Sequence, residues 1–291
     1  MYPRAFRYAR AESLDHAIAV LAEHGPDAQL LAGGATIIPL MKYRLRTPAV
    51  LVDIGRIDAL RYVRHEDGAV RVGALTRHAD VEHDPTAAAQ PLIGEVAGVI
   101  ADTQVRNMGT VVGGVCAVEP TGDWVPALLA LRGTAVAVSP EGRREIASDD
   151  LVVDAFTTSL RADEVVTEVR FPDAAPGFGA AHRKLSIRVN AGAVNCSAAV
   201  TVAGDGAITA AGVAFGALER RPFRATAAES VLVGATPTGQ TLADAVAAAL
   251  DGVRAYTDAR GSAAFRRAVA GALLRRAVTA AYERATDGAS R

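Results

Sequence analysis

Two glycine-containing segments have residue types that bind anions through the backbone. The first runs from Leu31 to Thr36 with the sequence LAGGAT, after an apolar stretch and before residues typical of a helix. Paired glycines let a backbone approach a phosphate closely, and the start of a helix offers unpaired N–H groups with a partial positive charge. An ordinary turn between a strand and a helix has the same pattern, so this segment alone assigns no function.

The second segment runs from Gln104 to Gly114 with the sequence QVRNMGTVVGG, and the stretch from Glu119 to Asp123 follows it closely. Its consecutive amides predict a second anion-binding loop, to which the hydroxyl of Thr110 adds a donor. Two such loops with few basic side chains suit the diphosphate of a dinucleotide better than a bare anion held by arginines. A glycine-rich hairpin is the alternative interpretation.

Charged residues elsewhere have weaker patterns. Arg183, Lys184 and Arg188 lie on one predicted strand, where they either face a cleft between domains or form an ordinary solvated face. His78 and His83 fall on different faces of a helix and have no Cys or Glu at ligand spacing, so they are predicted to be surface residues rather than metal ligands.

The two cysteines and the single tryptophan are predicted to be packing residues. Cys116 and Cys196 are far apart in the sequence, which argues against a disulfide framework, a metal site or an iron–sulfur cluster built from this chain alone. Small buried side chains are expected at both positions. Trp124 stands at the start of a predicted helix, where core packing is expected.

The elements that must position these segments begin as an alternating α/β unit. Apolar spacing predicts a helix from Ser13 to Gly25, with strands at 29–32 and 49–54. The segment 103–122 contains four glycines and few periodic apolar positions, and is predicted to be a long functional loop. The other predicted elements are strands at 70–74, 134–139 and 165–171 and helices at 87–101 and 121–131, with a short helix starting at Thr76.

A second domain is predicted beyond residues 172–179, which contain two prolines and two glycines. Antiparallel strands are expected at 180–188, 193–202 and 208–215, the last two joined by a hairpin turn at 204–206. An alanine-rich helical region over 239–285 follows.

The composition excludes several classes of partner. The 31 basic and 32 acidic residues leave a formal net charge of -1 with no block of like charge, so no nucleic-acid partner is expected. No stretch approaches the length of a membrane span, and the first ten residues do not resemble a signal peptide. The interpretation is a cytoplasmic globular protein.

Five short motifs occur in order along the chain: AGG at 32–34, MK at 41–42, LVDI at 51–54, VGALT at 72–76 and QVRNMGT at 104–110. Their order resembles that in the FAD-binding subunits of molybdenum hydroxylases of the xanthine dehydrogenase and carbon monoxide dehydrogenase type. The resemblance continues at 163–172, which is similar to the family's last strand before its C-terminal domain, and at 265–277, which is similar to its terminal helix. It spans nearly the whole chain.

The resemblance implies an α+β fold. Residues 1–174 would form a two-part FAD-binding region of the vanillyl-alcohol oxidase-like (PCMH) type, divided at about residue 55. Residues 175–291 would form a smaller C-terminal α+β domain with an antiparallel sheet and helices. FAD would lie extended between them.

The resemblance also implies a set of cofactor-binding residues. The two loops would hold the diphosphate and the nearby ribityl group, and Asp123 would accept hydrogen bonds from sugar or ribityl hydroxyls. Val166 would pack near the isoalloxazine with Lys184 beside it, and no catalytic residue is assigned. The full set is Ala32, Gly33, Gly34, Ala35, Thr36, Gly109, Thr110, Val111, Gly113, Gly114, Asp123, Val166 and Lys184.

The sequence departs from the family at three places, one of which is Glu119 in place of the aspartate before Pro120. Val112 stands where the family has the first of two glycines, and Gly114 stands where it has Asn or Ser. Either the glycine pair is shifted by one residue, or FAD is held less tightly, because a β-branched side chain restricts both the backbone and the approach of a phosphate. The family's aspartate after Lys184 is replaced in the stretch 190–192.

The function implied by the resemblance is electron transfer within a hetero-oligomer. A large partner subunit would carry the molybdenum cofactor, and a small partner would carry two-iron two-sulfur clusters that pass electrons to FAD here and then to an external acceptor. One alternative is a self-contained flavin oxidoreductase. Another is a structural subunit that has lost FAD binding, for which Val112 is the best support.

Overall fold

The computed structural model describes residues 2–188 and 191–289 of the chain. Asn190, which belongs to the stretch that departs from the family pattern, lies outside the described residues, as does the side chain of Arg188. Within the described ranges, no helix is both long and apolar enough to cross a membrane.

The chain begins with an α/β unit, as the sequence pattern predicts. Its elements are β1 (Arg7–Arg10), α1 (Leu14–His24), β2 (Ala28–Leu31), α2 (Ile37–Lys42) and β3 (Val50–Asp53). The strands are parallel in the order β1-β3-β2. Ser13 caps α1 by accepting a hydrogen bond from the amide of His16 at 3.1 Å, and Ile18 and Leu21 of the same helix are buried. Strand β2 ends at Leu31, and only Ala32 separates it from the Gly33-Gly34 pair.

A central unit follows, built on an antiparallel sheet. Its strands are β4 (Val63–Glu66), β5 (Ala69–Gly73), β6 (Thr134–Ser139), β7 (Gly142–Ala147), β8 (Val152–Asp154), β9 (Thr157–Thr158) and β10 (Val165–Pro172). Its helices are α3 (His78–Glu82), α4 (Pro91–Gly98), α5 (Thr103–Arg106), α6 (Val111–Ala117), α7 (Trp124–Ala130) and α8 (Ser148–Leu151). The sheet order is β4-β5-β10-β6-β7, with β8 and β9 paired separately. Helix α6 packs on β5 and β10, whose inward side chains, such as Val72 and Val169, are fully buried.

The C-terminal unit is an antiparallel sheet covered by helices. Its elements are β11 (Phe178–Arg188), β12 (Ala191–Val202), β13 (Ile208–Gly216), β14 (Phe223–Arg224), α9 (Thr226–Leu232), α10 (Gly239–Leu250) and α11 (Ala263–Ala289). The strands follow one another in sequence order in the sheet. Helix α11 packs on β11 and β12 through small side chains at helical spacing, among them Ala277, Ala281 and Ala285. The expected α+β class with a C-terminal antiparallel sheet is confirmed.

The prediction of one long loop over 103–122 is wrong, because this segment contains α5 and α6. Helix α6 has the sequence VVGGVCA, in which glycines and β-branched residues have low helix propensity. Tertiary packing overrides that propensity: Val111, Val112 and Val115 are buried, and Thr110 caps the helix. The predicted helix over 87–101 is shorter than expected, since α4 begins at Pro91.

Candidate functional site

A cavity of about 510 Å³ lies between the α/β unit and the central unit. The volume falls within the usual range for small-molecule and cofactor sites. Both glycine-containing segments contribute to its wall. From the two segments the lining residues are Ala32, Gly33, Gly34, Ala35, Thr36, Gly109, Thr110, Val112, Gly113 and Gly114.

The two segments touch at Gly33. A Cβ added at Gly33 would lie 1.9 Å from the backbone oxygen of Met108, which directly precedes Gly109. No side chain fits in that space, so the sequence must have glycine at this position for the two segments to meet. Gly34 has a φ of 74°, in the left-handed region that favours glycine. The expectation that two distant loops converge on one cleft therefore agrees with the geometry.

The first segment leaves its amides open. In the part of the chain that the structure describes, the backbone N–H groups of Gly33, Gly34, Ala35 and Thr36 donate no hydrogen bond. They lie between the end of β2 and the start of α2, where the helix adds a partial positive charge. Unpaired amides at a helix N-terminus suit the oxygens of a phosphate or diphosphate.

The second segment uses most of its amides internally. Thr110 Oγ1 accepts a hydrogen bond from the amide of Gly113 at 3.0 Å, and Thr110 O accepts one from Gly114 at 2.9 Å. The amide of Val111 donates to Thr76 O at 3.0 Å. From Gly109 to Gly114, the unpaired amides within the described ranges are those of Thr110 and Val112. The hydroxyl proton of Thr110 stays available as a donor.

The structure gives a packing reason for the departure at Val112. This residue is the second residue of α6, its side chain packs in the core of the central unit, and only 3% of it is exposed. A helical backbone at this position does not need glycine. Gly114 has a different role, because a Cβ there would lie 2.7 Å from Cδ1 of the Trp124 indole.

His78 lines the cavity, and the prediction that it is a surface residue is wrong. It is 5% exposed, whereas His83 is exposed as predicted. The signal that could have identified it is the spacing to Val81, three residues along the same helix face and fully buried. The core position predicted for Trp124 is confirmed, and its indole donates a hydrogen bond from Nε1 to His78 Nδ1 at 3.1 Å.

Burial strongly lowers the pKa of His78, to about 4. The Asp123 carboxylate opposes this shift, and the Arg106 guanidinium adds to it. The imidazole is therefore neutral at physiological pH.

Another part of the cavity wall comes from the segment around β8 and β9. Arg46 donates from Nη2 to Phe156 O at 2.9 Å and so ties the segment after α2 to the turn between these strands. Arg161 pairs with Glu141 at 3.0 Å and donates to Ser139 at 2.9 Å. The sequence pattern did not indicate these wall residues. Val166, at the start of β10, lines the cavity and is 5% exposed.

Asp123 and Lys184 were expected to contact the cofactor, but neither belongs to the cavity lining. Lys184 donates from Nζ to Asp123 Oδ2 at 2.6 Å. Asn195 donates to Asp123 Oδ1 at 2.9 Å, and His182 Nε2 lies 3.3 Å from the same oxygen. Both carboxylate oxygens thus have protein partners, and a hydrogen bond from a cofactor hydroxyl would have to compete with them. Val111 is also outside the lining and fully buried.

This buried cluster joins α7 of the central unit to β11 and β12 of the C-terminal unit. Strand register explains it: Lys184 pairs with Asn195 and His182 pairs with Ser197, so these side chains share one face of the sheet. Burial by itself would raise the pKa of the Asp123 carboxyl, but the hydrogen bonds and charges of His182 and Lys184 outweigh it and hold the pKa below its usual range.

The cavity suits a bound cofactor rather than a metal ion or a reactive thiolate. In the described part of the chain, no group of three or more His, Cys, Asp or Glu could hold a metal ion. Cys116 lines the cavity, but burial raises the pKa of its thiol to about 12, so it is not a thiolate at neutral pH. Open amides, two converging loops and an apolar wall fit a dinucleotide such as FAD.

Comparisons with known proteins agree with this geometry. Residues 4–174 match the family model described as FAD binding domain in molybdopterin dehydrogenase. Residues 180–281 match the model described as CO dehydrogenase flavoprotein C-terminal domain.

Individual relatives cover almost the whole chain. The carbon monoxide dehydrogenase medium chain of Afipia carboxidovorans is 38% identical over 289 residues, covering 99% of this chain and 100% of that protein. The 6-hydroxypseudooxynicotine dehydrogenase complex subunit alpha of Paenarthrobacter nicotinovorans is 33% identical over 287 residues, covering 98% and 97% of the two proteins.

Solved structures have the same fold. A chain of carbon monoxide dehydrogenase from Hydrogenophaga pseudoflava, in a form that lacks the Mo-pyranopterin moiety of the molybdenum cofactor, superposes with a TM-score of 0.94 at 35% identity, covering 98% of this chain and 99% of that chain. Quinoline 2-oxidoreductase from Pseudomonas putida 86 gives a TM-score of 0.90 at 30% identity, covering 98% and 99%. This chain therefore belongs to the family of FAD-binding medium subunits of molybdenum hydroxylases, and is an oxidoreductase flavoprotein component.

Proposed function

We propose that this chain carries FAD in the cavity between its two Gly-Gly segments and relays electrons from iron–sulfur clusters of a small partner subunit to an external acceptor. A large partner subunit would hold the molybdenum cofactor and oxidise the substrate. FAD, when bound, supplies the redox chemistry, and the chain supplies position, exclusion of water and electrostatics.

The observation that carries the proposal is the contact of Gly33 with the backbone of Met108. It brings the open amides of 33–36 and the start of α6 to one cavity, although the segments are far apart in the sequence. A diphosphate is the dinucleotide group that such amides bind best. The 510 Å³ volume of the cavity supports this function over a subunit that has lost its cofactor.

The site residues have different proposed roles. The amides of 33–36, with those of Thr110 and Val112, would bind the diphosphate, and the Thr110 hydroxyl would donate to a nearby oxygen. Val166 would pack beside the isoalloxazine. Asp123 and Lys184 would hold the central and C-terminal units together rather than contact the cofactor directly.

The partners are proposed from the relatives and from the cysteine content. Relatives are named as chains or subunits of dehydrogenase complexes, and the two cysteines of this chain, Cys116 and Cys196, cannot ligate a cluster that needs four. We therefore propose a hetero-oligomer with a molybdenum subunit and an iron–sulfur subunit. The division into domains at 174 and the cytoplasmic location stay predictions.

The test is a flavin measurement on the purified full-length chain. We expect a flavin absorption spectrum and release of FAD, rather than FMN, on heat denaturation. A protein that is colourless and remains so after incubation with excess FAD would contradict the proposal.

A matched pair of variants locates the binding site. Ala35 lines the cavity and is exposed, so a larger side chain fits there. Ala35→Asp places a carboxylate beside the open amides and should reduce bound FAD by roughly tenfold or more, because like charges repel strongly in a partly desolvated site. Ala35→Asn, which has nearly the shape of aspartate and no charge, should retain FAD. Equal FAD content in both variants would exclude this loop as the diphosphate site.

A further inference from the structure

His78 and Trp124 form a buried pair beneath the second Gly-Gly segment. His78 begins α3 and Trp124 begins α7, with exposed fractions of 5% and 2%. Their rings are stacked with centroids 5.9 Å apart and an interplanar angle of 30°. Each packs against a glycine of the segment: a Cβ would lie 2.7 Å from His78 Nε2 at Gly109 and 2.7 Å from Trp124 Cδ1 at Gly114.

The hydrogen bond between the two rings determines where the imidazole carries its proton. An indole N–H only donates, so His78 Nδ1, which lies 3.1 Å from Trp124 Nε1, must accept with a lone pair. A neutral imidazole has one N–H group. The proton of His78 is therefore on Nε2.

The Nε2–H group has no protein acceptor within the described ranges. The Nε2 atom keeps some solvent-accessible surface, although His78 as a whole is only 5% exposed. His78 lines the cavity, and its Nε2 lies against the α-carbon of Gly109. A donor of fixed tautomer therefore faces the cavity at the second segment.

We propose that His78 is a further FAD-binding residue, which donates its Nε2–H to an oxygen of the diphosphate or ribityl part of the cofactor, with Trp124 as the positioning residue that holds the tautomer. This inference rests on the proposed function and extends it. The donor is neutral, because burial lowers the pKa of His78 to about 4. The Arg106 guanidinium also lowers this pKa, and the Asp123 carboxylate raises it by less than the burial lowers it. His78 would therefore add a directional hydrogen bond to those of the open amides, without adding charge.

The direct test is nitrogen-15 NMR of the histidine rings in the full-length chain at pH 7, with FAD itself as the probe. His78, identified by loss of its signals in His78→Gln, should be protonated on Nε2 before and after FAD is added. Its Nε2–H signals should shift when FAD binds. Protonation on Nδ1, or Nε2–H signals that do not respond to bound FAD, would overturn the proposal even if His78→Leu failed to fold.

Variants measure the contribution of the hydrogen bond. Trp124 is the only tryptophan, so quenching of its emission reports FAD binding next to this pair. His78→Leu removes the donor and should weaken FAD binding roughly 10- to 100-fold, the range for a hydrogen bond to a charged group. His78→Gln keeps an N–H donor and should stay within about threefold of the unaltered chain. His83→Leu, on the exposed side of the same region, is the control and should have no effect.

The outcomes separate this inference from the proposed function. If the unaltered chain does not bind FAD, both fail. If it binds FAD, and His78→Leu folds with an unchanged thermal midpoint and binds FAD as tightly, the proposed function stands and the role of His78 is excluded. Weaker binding by His78→Leu with recovery in His78→Gln supports the role, because a purely structural histidine would not be replaced by a donor of different shape.

Discussion

The two Gly-Gly segments beside the cavity are similar in sequence and differ in structure. The first, Gly33-Gly34, lies in a turn whose amides donate no hydrogen bond in the described part of the chain. The second, Gly113-Gly114, lies inside helix α6, where both amides bond to Thr110. A glycine pair beside a cavity is therefore not by itself an anion-binding loop.

The difference lies in what each glycine makes room for. Gly33 makes room for the backbone of another segment, because Met108 O would lie 1.9 Å from its Cβ. Gly114 makes room for the Trp124 side chain at 2.7 Å. A backbone cannot move aside without moving the whole segment, whereas a side chain can rotate. Substitutions at the two glycines should therefore differ in severity.

The largest effect is expected from Gly33→Ala. The added Cβ collides with Met108 O, so the two segments must separate, with a loss of roughly 3 kcal/mol in the free energy of unfolding of the apoprotein. Bound FAD should fall below about a tenth of the unaltered level, since a change of 1.4 kcal/mol already shifts binding tenfold. Urea unfolding and the flavin-to-protein absorbance ratio measure the two effects.

Gly204→Ala, where nothing lies within 4 Å of the new Cβ, is the control. Unchanged FAD content in Gly33→Ala would refute the convergence of the segments.

Acid should destabilise the pair beneath the second segment. The pKa of His78 is about 4 in the folded chain and 6.5 when unfolded, so above pH 6.5 both states are neutral and the residue has no effect on stability. Between pH 6.5 and 4 only the unfolded state takes up the proton, and stability falls by up to about 3 kcal/mol. Asp123, whose pKa is lowered, loses its contribution at still lower pH. Between pH 6.5 and 4, the free energy of unfolding should fall with decreasing pH more steeply for the unaltered chain than for His78→Gln. Equal slopes against pH would contradict the burial of His78.

The smallest effect is expected from Gly114→Ala. Alanine favours a helix by about 1 kcal/mol over glycine, but its Cβ forces Trp124 to shift, and overpacking costs about 1–3 kcal/mol. A net loss of about 1 kcal/mol with altered tryptophan emission and nearly normal FAD content is expected. Gly94→Ala in α4, where the nearest atom is 3.9 Å from the new Cβ, should instead stabilise the chain. Loss of FAD in Gly114→Ala comparable to that in Gly33→Ala would remove the distinction between the segments.

The sequence predicted the first segment well because its structure is local. An apolar run, two glycines and a helical stretch over 28–42 are enough to indicate a strand, a turn and a helix. The alternation of the C-terminal strands likewise predicted an antiparallel sheet, and β11 to β13 lie close to the expected bounds. In both regions hydrophobic spacing carries the information.

The second segment could not be predicted in the same way. Helix α6 has a low intrinsic helix propensity and is stabilised by burial of its valines and by the Thr110 cap. The burial of His78 was not predicted, because His78 and His83 were compared only as possible metal ligands. The apolar helix face that His78 shares with Val81 was not considered. The cluster of Asp123 with Lys184 depends on how α7 packs on β12 and β13, which no local pattern specifies.

By itself the sequence determined the fold class, the family and the presence of two glycine-containing segments, and its two cysteines, Cys116 and Cys196, leave no four-cysteine cluster site in this chain. Only the tertiary structure decided that Gly33 meets Met108, that Trp124 orients His78, and that Asp123 and Lys184 neutralise each other away from the cavity. The physical reason is that these contacts join residues distant in the chain. Packing of the whole core sets their geometry, whereas residue spacing reports only the neighbours along one helix or strand.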